Sequence, residues 1–500
     1  MPATIAPPPL DAAEISSSIA QFVGHARRPA LYEPGEDLFP LSAENFSVEM
    51  RGSRLTLQAW DRTRNLTRRI LKITRSAPGR MELTVERFAR REGQLFLVDL
   101  GRPAGASAGL KSARLVFRER FRLFLRRQFP QWTLAEITTE ANLQHSLSPA
   151  FPRALLSHGQ HAWAAIACPP ESDSAAAVTF GLIWLAYLRG REKRVALEGL
   201  AIYAPAGREH AAALRVLCLD ATAARLELFS YSSEDYVIRI DPADHGNLDT
   251  RLDPFGAAPS EDAPLFARVR SLPGVECVPK VRGAVSLRVR GVEFAEFSRG
   301  ELLFGLHGRT PASPEHMPEI EGLVAQITHA RSAHTANRDH PLYRLAPEAW
   351  LESQARASLR VLDASLLPEP VYRQTPVLAG GERGIIDLLA VDHSGRLTVL
   401  ELKASADIHL PLQALDYWLH VKWHLDRGEF TAAGYFPGIH LKPEPPRILL
   451  VSPSLEFHPS TETVLRFFSP SIEVERVGLS ADWRDQLRVV FRLRGAKTPS

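Results

Sequence analysis

Cysteine is scarce in this chain: Cys168, Cys218 and Cys277 are the only three in 500 residues, and no two form a Cys-x-x-Cys pair. That scatter excludes a disulfide framework and a zinc ribbon, and it points to a reducing, cytoplasmic compartment. A dominant charge sign is also missing. Lys and Arg total 60 against 57 Asp and Glu, a net charge of +3, so any case for nucleic acid must come from local clustering. Long apolar runs are lacking too. The uncharged stretch from Ala175 to Leu188 falls short of the roughly 18–20 residues that cross a bilayer, so it reads as a buried helix and no membrane partner is expected. The Pro-rich start, Met1 to Pro9, lacks a basic region followed by an apolar core, and no secretory signal is expected.

A hydrophobic content of 45% and a charged content of 23% are ordinary for a globular protein, and the length suggests two to four domains. Residues 1–45, rich in Pro, Ala and Ser, read as a loosely ordered lead-in. Residues 46–149 read as a β-rich domain, with alternating segments at Leu55–Trp60, Arg69–Thr74, Met81–Val85 and Gln94–Val98 forming an antiparallel meander, followed by a basic helix. Residues 150–312 read as an α/β domain of unknown role. They hold no phosphate loop, no Ser or Cys nucleophile motif and no zinc-protease helix. Residues 313–335, polar, flanked by scattered histidines and holding an interrupted helix that begins near Pro318, read as a connector.

In the remaining segment, 336–500, charges stand where a covered strand should carry none. Ile385–Val391 and Leu397–Ala404 are rich in β-branched and aliphatic residues and are bounded by Gly, Asp and Ser, so they read as adjacent strands of a buried sheet. Side chains alternate along a strand, which puts Val399, Glu401 and Lys403 on one face and Thr398, Leu400 and Leu402 on the other. With His393-Ser394-Gly395 as a three-residue hairpin loop and Gly395 left-handed, Asp392 faces Arg396, and Asp387 faces Glu401 five rungs further in. Opposed side chains of a strand pair lie roughly 4.5–5.5 Å apart at Cβ. Two carboxylates at that spacing call for a cation between them, and Mg²⁺ commonly takes one or two carboxylates together with waters and phosphate oxygens.

Glu401-x-Lys403 taken alone is what a solvated strand face carries. The wider set is more specific. A helix opening near Pro411 and ended by Gly428 carries Gln413 and Tyr417 four residues apart, on one face. Asp387, then Glu401-Leu402-Lys403, then Gln413-x-x-x-Tyr417 resembles, in order and spacing, the PD-(D/E)XK nuclease superfamily and its RecB-like branch in particular. The resemblance covers about the last third of the chain. It implies a restriction-endonuclease-like αβββαβ core: a helix at Pro347–Leu362, strands at Val371–Leu378, Ile385–Val391 and Leu397–Ala404, the Gln413 helix, and a strand at Arg447–Ser452. A short helix at Glu462–Phe468 and an edge strand at Ile472–Leu479 would close it.

The resemblance further implies a metal-dependent phosphodiester hydrolase acting on nucleic acid, with DNA expected, in repair or defence. Asp387, Glu401 and the Leu402 backbone carbonyl would bind Mg²⁺ or Mn²⁺, and Lys403 would assist electrostatically. Gln413 and Tyr417 would orient the site. The family's first helix often adds a carboxylate, for which Glu352 fits best and Glu348, one turn earlier on the same face, is the other choice. The alternative is a non-catalytic DNA-binding or scaffolding protein with a nuclease-like domain. Between Lys111 and Arg127 lie seven basic residues and one acid, with Phe117, Phe121, Phe124 and Leu125 at helical spacing. Arg118, Arg122, Arg126 and Arg127 on the outer faces, together with Arg62, Arg64, Arg68 and Arg69, are candidates for a phosphate-backbone surface.

Overall fold

A computed structural model describes residues 12–496 apart from 27–28, 34–38, 43–44, 52–53, 61–64, 78, 87–91, 100–105, 171, 233–235, 246–249, 253, 255–262, 281–282, 307 and 380–381. It gives the backbone without the side chains at 40, 51, 54, 65, 77, 106–113, 115–116, 245, 374–379 and 382–386. The chain is mixed α/β, with four sheets and twelve α-helices among the described residues. It divides into two compact units, Met1–Asn247 and Leu248–Ser500.

In the first unit, the strands Phe46–Arg51, Arg54–Trp60, Asn65–Ala77, Arg80–Glu86 and Glu92–Asp99 run as an antiparallel meander, and Pro29–Tyr32 and Phe39–Pro40 extend it. The segment expected as a loose lead-in contains a helix instead. Residues Ala12–His25 form it because Ile15, Ile19 and Phe22 recur at helical spacing, and the first two are buried against Leu31, Leu57, Leu83 and Leu95. A second sheet has three parallel strands, His161–Ala167, Ala196–Pro205 and Arg225–Tyr231, linked by the helices Ser174–Arg191 and His210–Leu217. The uncharged helix is buried over most of its length, as its composition requires. The basic helix Ala106–Gln128 lays Phe117, Phe121 and Phe124 on this second sheet, against Trp163, Tyr203 and Tyr231. It therefore packs with the α/β layer that follows it, where the sequence had grouped it with the meander.

The second unit holds the other two sheets. Residues 150–312 do not form one layer: the mixed second sheet ends at Ile240, and Val275–Pro311 forms a separate five-stranded antiparallel sheet. The segment expected as a connector with an interrupted helix from near Pro318 holds an unbroken core helix of that sheet. Met317–Ala330 buries Met317, Ile320, Val324 and Ile327 against Leu287, Phe294 and Phe297, an i, i+3, i+7, i+10 stripe that the surrounding histidines obscured.

The last sheet is mixed and seven-stranded. Tyr372–Ala379, Glu382–Val391 and Leu397–Leu402 are antiparallel neighbours; the helix Leu410–Asp426 then leads to Arg447–Pro453, parallel to Leu397–Leu402, and Val474–Leu479 lies parallel beyond that. Two features differ from expectation. Val474–Leu479 is not an edge, since Val489–Arg494 pairs outside it, and the first helix breaks at Ser358 into Pro347–Ala357 and Leu359–Leu362. One sheet face carries Leu388, Ala390, Leu400, Leu402, Leu449 and Val451 and is covered by Trp350, Leu351 and Ala355 of the Pro347–Ala357 helix. The other carries Leu389, Val391, Leu397 and Val399 and is covered by Val421 and Leu425 of the Leu410–Asp426 helix. Both faces are therefore dry, and any charge among these strands needs a partner.

The hairpin that sets the register has the expected three-residue loop. The Asp392 carboxylate accepts the backbone N–H groups of Ser394 (2.8 Å) and Arg396 (3.0 Å), and Gly395 takes φ +92°. Leu388 pairs with Leu400 and Leu389 with Val399, the register that loop length dictates. A Cβ at Gly395 would also lie 2.2 Å from the His440 carbonyl oxygen. Gly395→Ala is expected to destabilise the chain by at least about 1–2 kcal/mol, the cost of a left-handed non-glycine residue, read as a lower denaturant midpoint at unchanged m-value.

Candidate active site

Asp387 stands on the strand Glu382–Val391, one residue beyond the last ladder pair, Leu388 with Leu400. Its Oδ2 accepts the Leu402 N–H at 2.9 Å, so the carboxylate takes up the backbone donor just past the end of the ladder. In a strand the N–H and C=O of one residue share an edge, so the Leu402 carbonyl is also turned toward the Asp387 strand. Glu401 lies on the opposed strand in the same register and shares the face of Val399, beneath the Leu410–Asp426 helix.

Glu401 is 1% exposed. Its Oε1 lies 3.2 Å from Lys403 Nζ, while its Oε2 is buried and accepts no hydrogen bond. A second orphaned oxygen is nearby in sequence terms: Gln413 Oε1, on the first turns of the Leu410–Asp426 helix, is also buried and without a partner. Orphaned acceptors of this kind are expensive unless something fills the gap. Burial and then the Asp387 carboxylate push the Glu401 pKa well up, against the pull of Lys403. Asp387 is also raised, by burial, with Lys403 and the Leu402 N–H opposing. Burial alone would lower Lys403, yet Glu401, Glu348, Asp407 and Asp387 together hold it well above the usual lysine value. The ammonium is the internal counter-ion of an acidic pocket.

Tyr417 faces the same pocket. Burial, then Glu401 and Asp387, raise its pKa well above 10, so its hydroxyl stays protonated beside the carboxylates. Thus Asp387, Glu401, Lys403 and Tyr417 form one electrostatic cluster, with Gln413 one helical turn before Tyr417 on the same helix face.

The choice of helix carboxylate shifts. Glu352 is buried in an ion pair with Arg373 of the neighbouring strand, and its electrostatic neighbours include Arg288 and Glu276 of the five-stranded sheet and Arg356 of its own helix as well as Asp387. Glu348, one turn earlier, keeps a solvent-open edge; burial raises its pKa, Lys403 lowers it, and Asp387 and Asp407 raise it. Glu348 is the one that shares Lys403. Buried Arg331 sets this helix in place by donating to the carbonyls of Leu342, Leu345 and Ala346, just before the helix begins at Pro347.

Sequence reading missed Asp407. Its Oδ2 lies 3.8 Å from Lys403 Nζ and its Oδ1 accepts the His409 N–H at 2.7 Å. Burial would raise its pKa, but Lys403, His409 and that backbone N–H outweigh it and lower it. The signal was there: an acid four residues after the lysine, in an Asx turn opening the next helix.

Among the described residues no three His, Cys, Asp or Glu side chains converge as a ready-made metal cage. The pocket instead offers two carboxylates and orphaned side-chain oxygens, a hard all-oxygen donor set that fits a hydrated Mg²⁺ or Mn²⁺ and not a Cys/His-type zinc site.

The arginines of the basic helix are partly spent internally. Arg118 and Arg122 both pair with Glu119, at 3.0 and 2.9 Å, and Arg126 and Arg127 lie in the last turn with exposed side chains. Arg68 pairs with Glu33 and Arg69 with Glu86. Arg62 and Arg64, and the side chain of Lys111, lie outside the described residues. The chain matches no protein-family model and no curated protein.

Proposed function

We propose that this protein is a divalent-metal-dependent phosphodiester hydrolase acting on DNA, with Asp387, Glu401 and Lys403 at its centre. The observation that carries this reading is the buried, unpartnered Glu401 Oε2 beside a second carboxylate and an ammonium, among the apolar side chains of Leu388, Leu389, Val399, Leu400 and Leu402. What supports it further is the element order: a helix, three antiparallel strands, a helix and a parallel strand. That is the order the αβββαβ restriction-endonuclease-like core requires.

Asp387, Glu401 and the Leu402 carbonyl would hold Mg²⁺ or Mn²⁺, which when bound activates water and polarises the phosphate. Lys403 places a fixed positive charge where negative charge builds on the phosphate oxygens. Tyr417 keeps its proton and can donate to a carboxylate or to the substrate, and Gln413 contributes a free carbonyl oxygen to the same space. Glu348, open to solvent, can accept a hydrogen bond from water next to Lys403.

The direct test is cleavage of single-stranded, duplex and branched DNA with Mg²⁺, Mn²⁺ or chelator. Asp387→Asn, Glu401→Gln and Lys403→Ala should each cost on the order of 10²–10³ in rate or more, the usual loss when one electrostatic stabiliser is removed. A wild-type protein that binds DNA and never cuts it would instead make this a non-catalytic binding module. Glu348→Gln should lower the rate while leaving stability near wild type. Glu352→Gln should act the other way, costing roughly 3–5 kcal/mol in unfolding experiments because Arg373 loses its buried partner.

Metal and pH should be linked through stability. The raised pKa of Glu401 means that the folded state binds that proton more tightly than the unfolded chain does, so without metal its contribution falls as pH rises from the unfolded carboxylate value through the folded one. Glu401→Gln should therefore be more stable than wild type at pH 8 in chelator, with the gap closing near pH 4. Protons compete with the cation, so stabilisation by Mg²⁺ should be larger at pH 8 than at pH 6 and reach about 2.7 kcal/mol at 100 times Kd. It should vanish in Glu401→Gln. Thermal melts across that pH range, with and without metal, check the sign.

A further inference from the structure

Lys403 creates a conflict in the proposed site. Its ammonium is 3.2 Å from Glu401 Oε1, so the residue that would hold a divalent cation is already paired with an internal one. Glu401 Oε2 is open, but seating a cation across both Glu401 oxygens requires the ammonium to leave Oε1, and a buried ammonium cannot withdraw into nothing. The carboxylate positioned to receive it is Asp407, whose Oδ2 is 3.8 Å from Lys403 Nζ. A charge-assisted hydrogen bond spans about 2.7–2.9 Å, so a shift of roughly 1 Å transfers the ammonium from one acid to the other.

Asp407 is built to stay still while that happens. Its Oδ1 is held by the His409 N–H at 2.7 Å, and its backbone carbonyl accepts the Leu410 N–H at 3.4 Å, where the Leu410–Asp426 helix begins. One carboxylate oxygen thus anchors the helix start, and the other is left for the lysine. Of the other two acids in the lysine's field, Asp387 would itself hold the cation, and Glu348 sits on a different helix with an exposed side chain.

We propose that Asp407 is a positioning residue that takes Lys403 over from Glu401 when a divalent cation enters, and so makes the pocket able to bind metal. This rests on the reading of the site as metal-dependent, and it concerns cation affinity, which is measurable without any cleavage. It adds a residue to the machinery without asking it to touch substrate.

The experiment is a double-mutant cycle on the full chain, reading Mn²⁺ and Mg²⁺ affinity by titration calorimetry in the absence of DNA. Asp407→Asn should weaken cation binding roughly 10-fold or more, in the range of lost outer-shell partners, and Asp407→Glu should restore most of it. In a Lys403→Met background there is no ammonium to receive, so adding Asp407→Asn should leave affinity unchanged. Asp407→Asn that only lowers the melting temperature, with affinity intact, would reduce Asp407 to a helix anchor and overturn the proposal. Additive effects of the two substitutions on affinity would overturn it as well. Wild-type protein that binds cation with this pattern and cuts no DNA would sink the nuclease reading alone; wild-type protein with no cation affinity would overturn both.

Discussion

Two carboxylates and one ammonium share a pocket set into a sheet whose faces are both covered by helices, and the position of each depends on the elements around it. Asp387 and Glu401 stand on opposed strands, and the Asp387 carboxylate makes Glu401 harder to ionise. Lys403 lowers that cost but does not remove it, because Glu401 Oε2 still has no partner. A fold selected for stability alone would replace this trio with apolar residues of similar volume. Its presence amid Leu388, Leu389, Leu400 and Leu402 is a stored cost that binding a cation would relieve.

The scaffold holds the trio by independent means. The Asp392–Gly395 loop sets the strand register, and through it which residues face each other. Arg331 fixes the turn before the Pro347–Ala357 helix, which brings Glu348 to the lysine and buries Trp350 in the core of the opposite face. Asp407 fixes the start of the Leu410–Asp426 helix, which carries Gln413 and Tyr417. Asp387, Glu401 and Glu348 stand on strands or a helix, while Lys403 and Asp407 lie in the connection between the Leu397–Leu402 strand and the Leu410–Asp426 helix, tied by the Lys403 N–H to the Val451 carbonyl and by the His409 N–H to the Asp407 carboxylate.

How far the sequence could be read depended on whether the deciding interaction was local. The hairpin register was legible because a three-residue loop with Gly395 leaves one pairing, and pairing alternation then assigns every face. The meander at Leu55–Val98 was legible for the same reason. The Met317–Ala330 helix was legible only in part: Pro318 marked its start, but its apolar stripe is interleaved with polar and histidine residues and its partner sheet is formed by Val275–Pro311. Ala12–His25 was lost behind a Pro-rich start. The basic helix declared its apolar face correctly, but only packing showed which sheet that face covers and that Glu119 occupies two of its arginines.

Glu348 and Glu352 mark the boundary most sharply. Their spacing of four puts both on one side of a helix, and nothing in the sequence separates them. Arg373, on a strand that reaches Glu352 only in the folded sheet, claims the second and leaves the first to Lys403. The linear chain by itself determined the acids, the lysine, their faces and their register, since those follow from alternation and loop length. The tertiary structure decided which acid each cation meets, because ion pairing depends on distances between elements that the chain brings together only by folding.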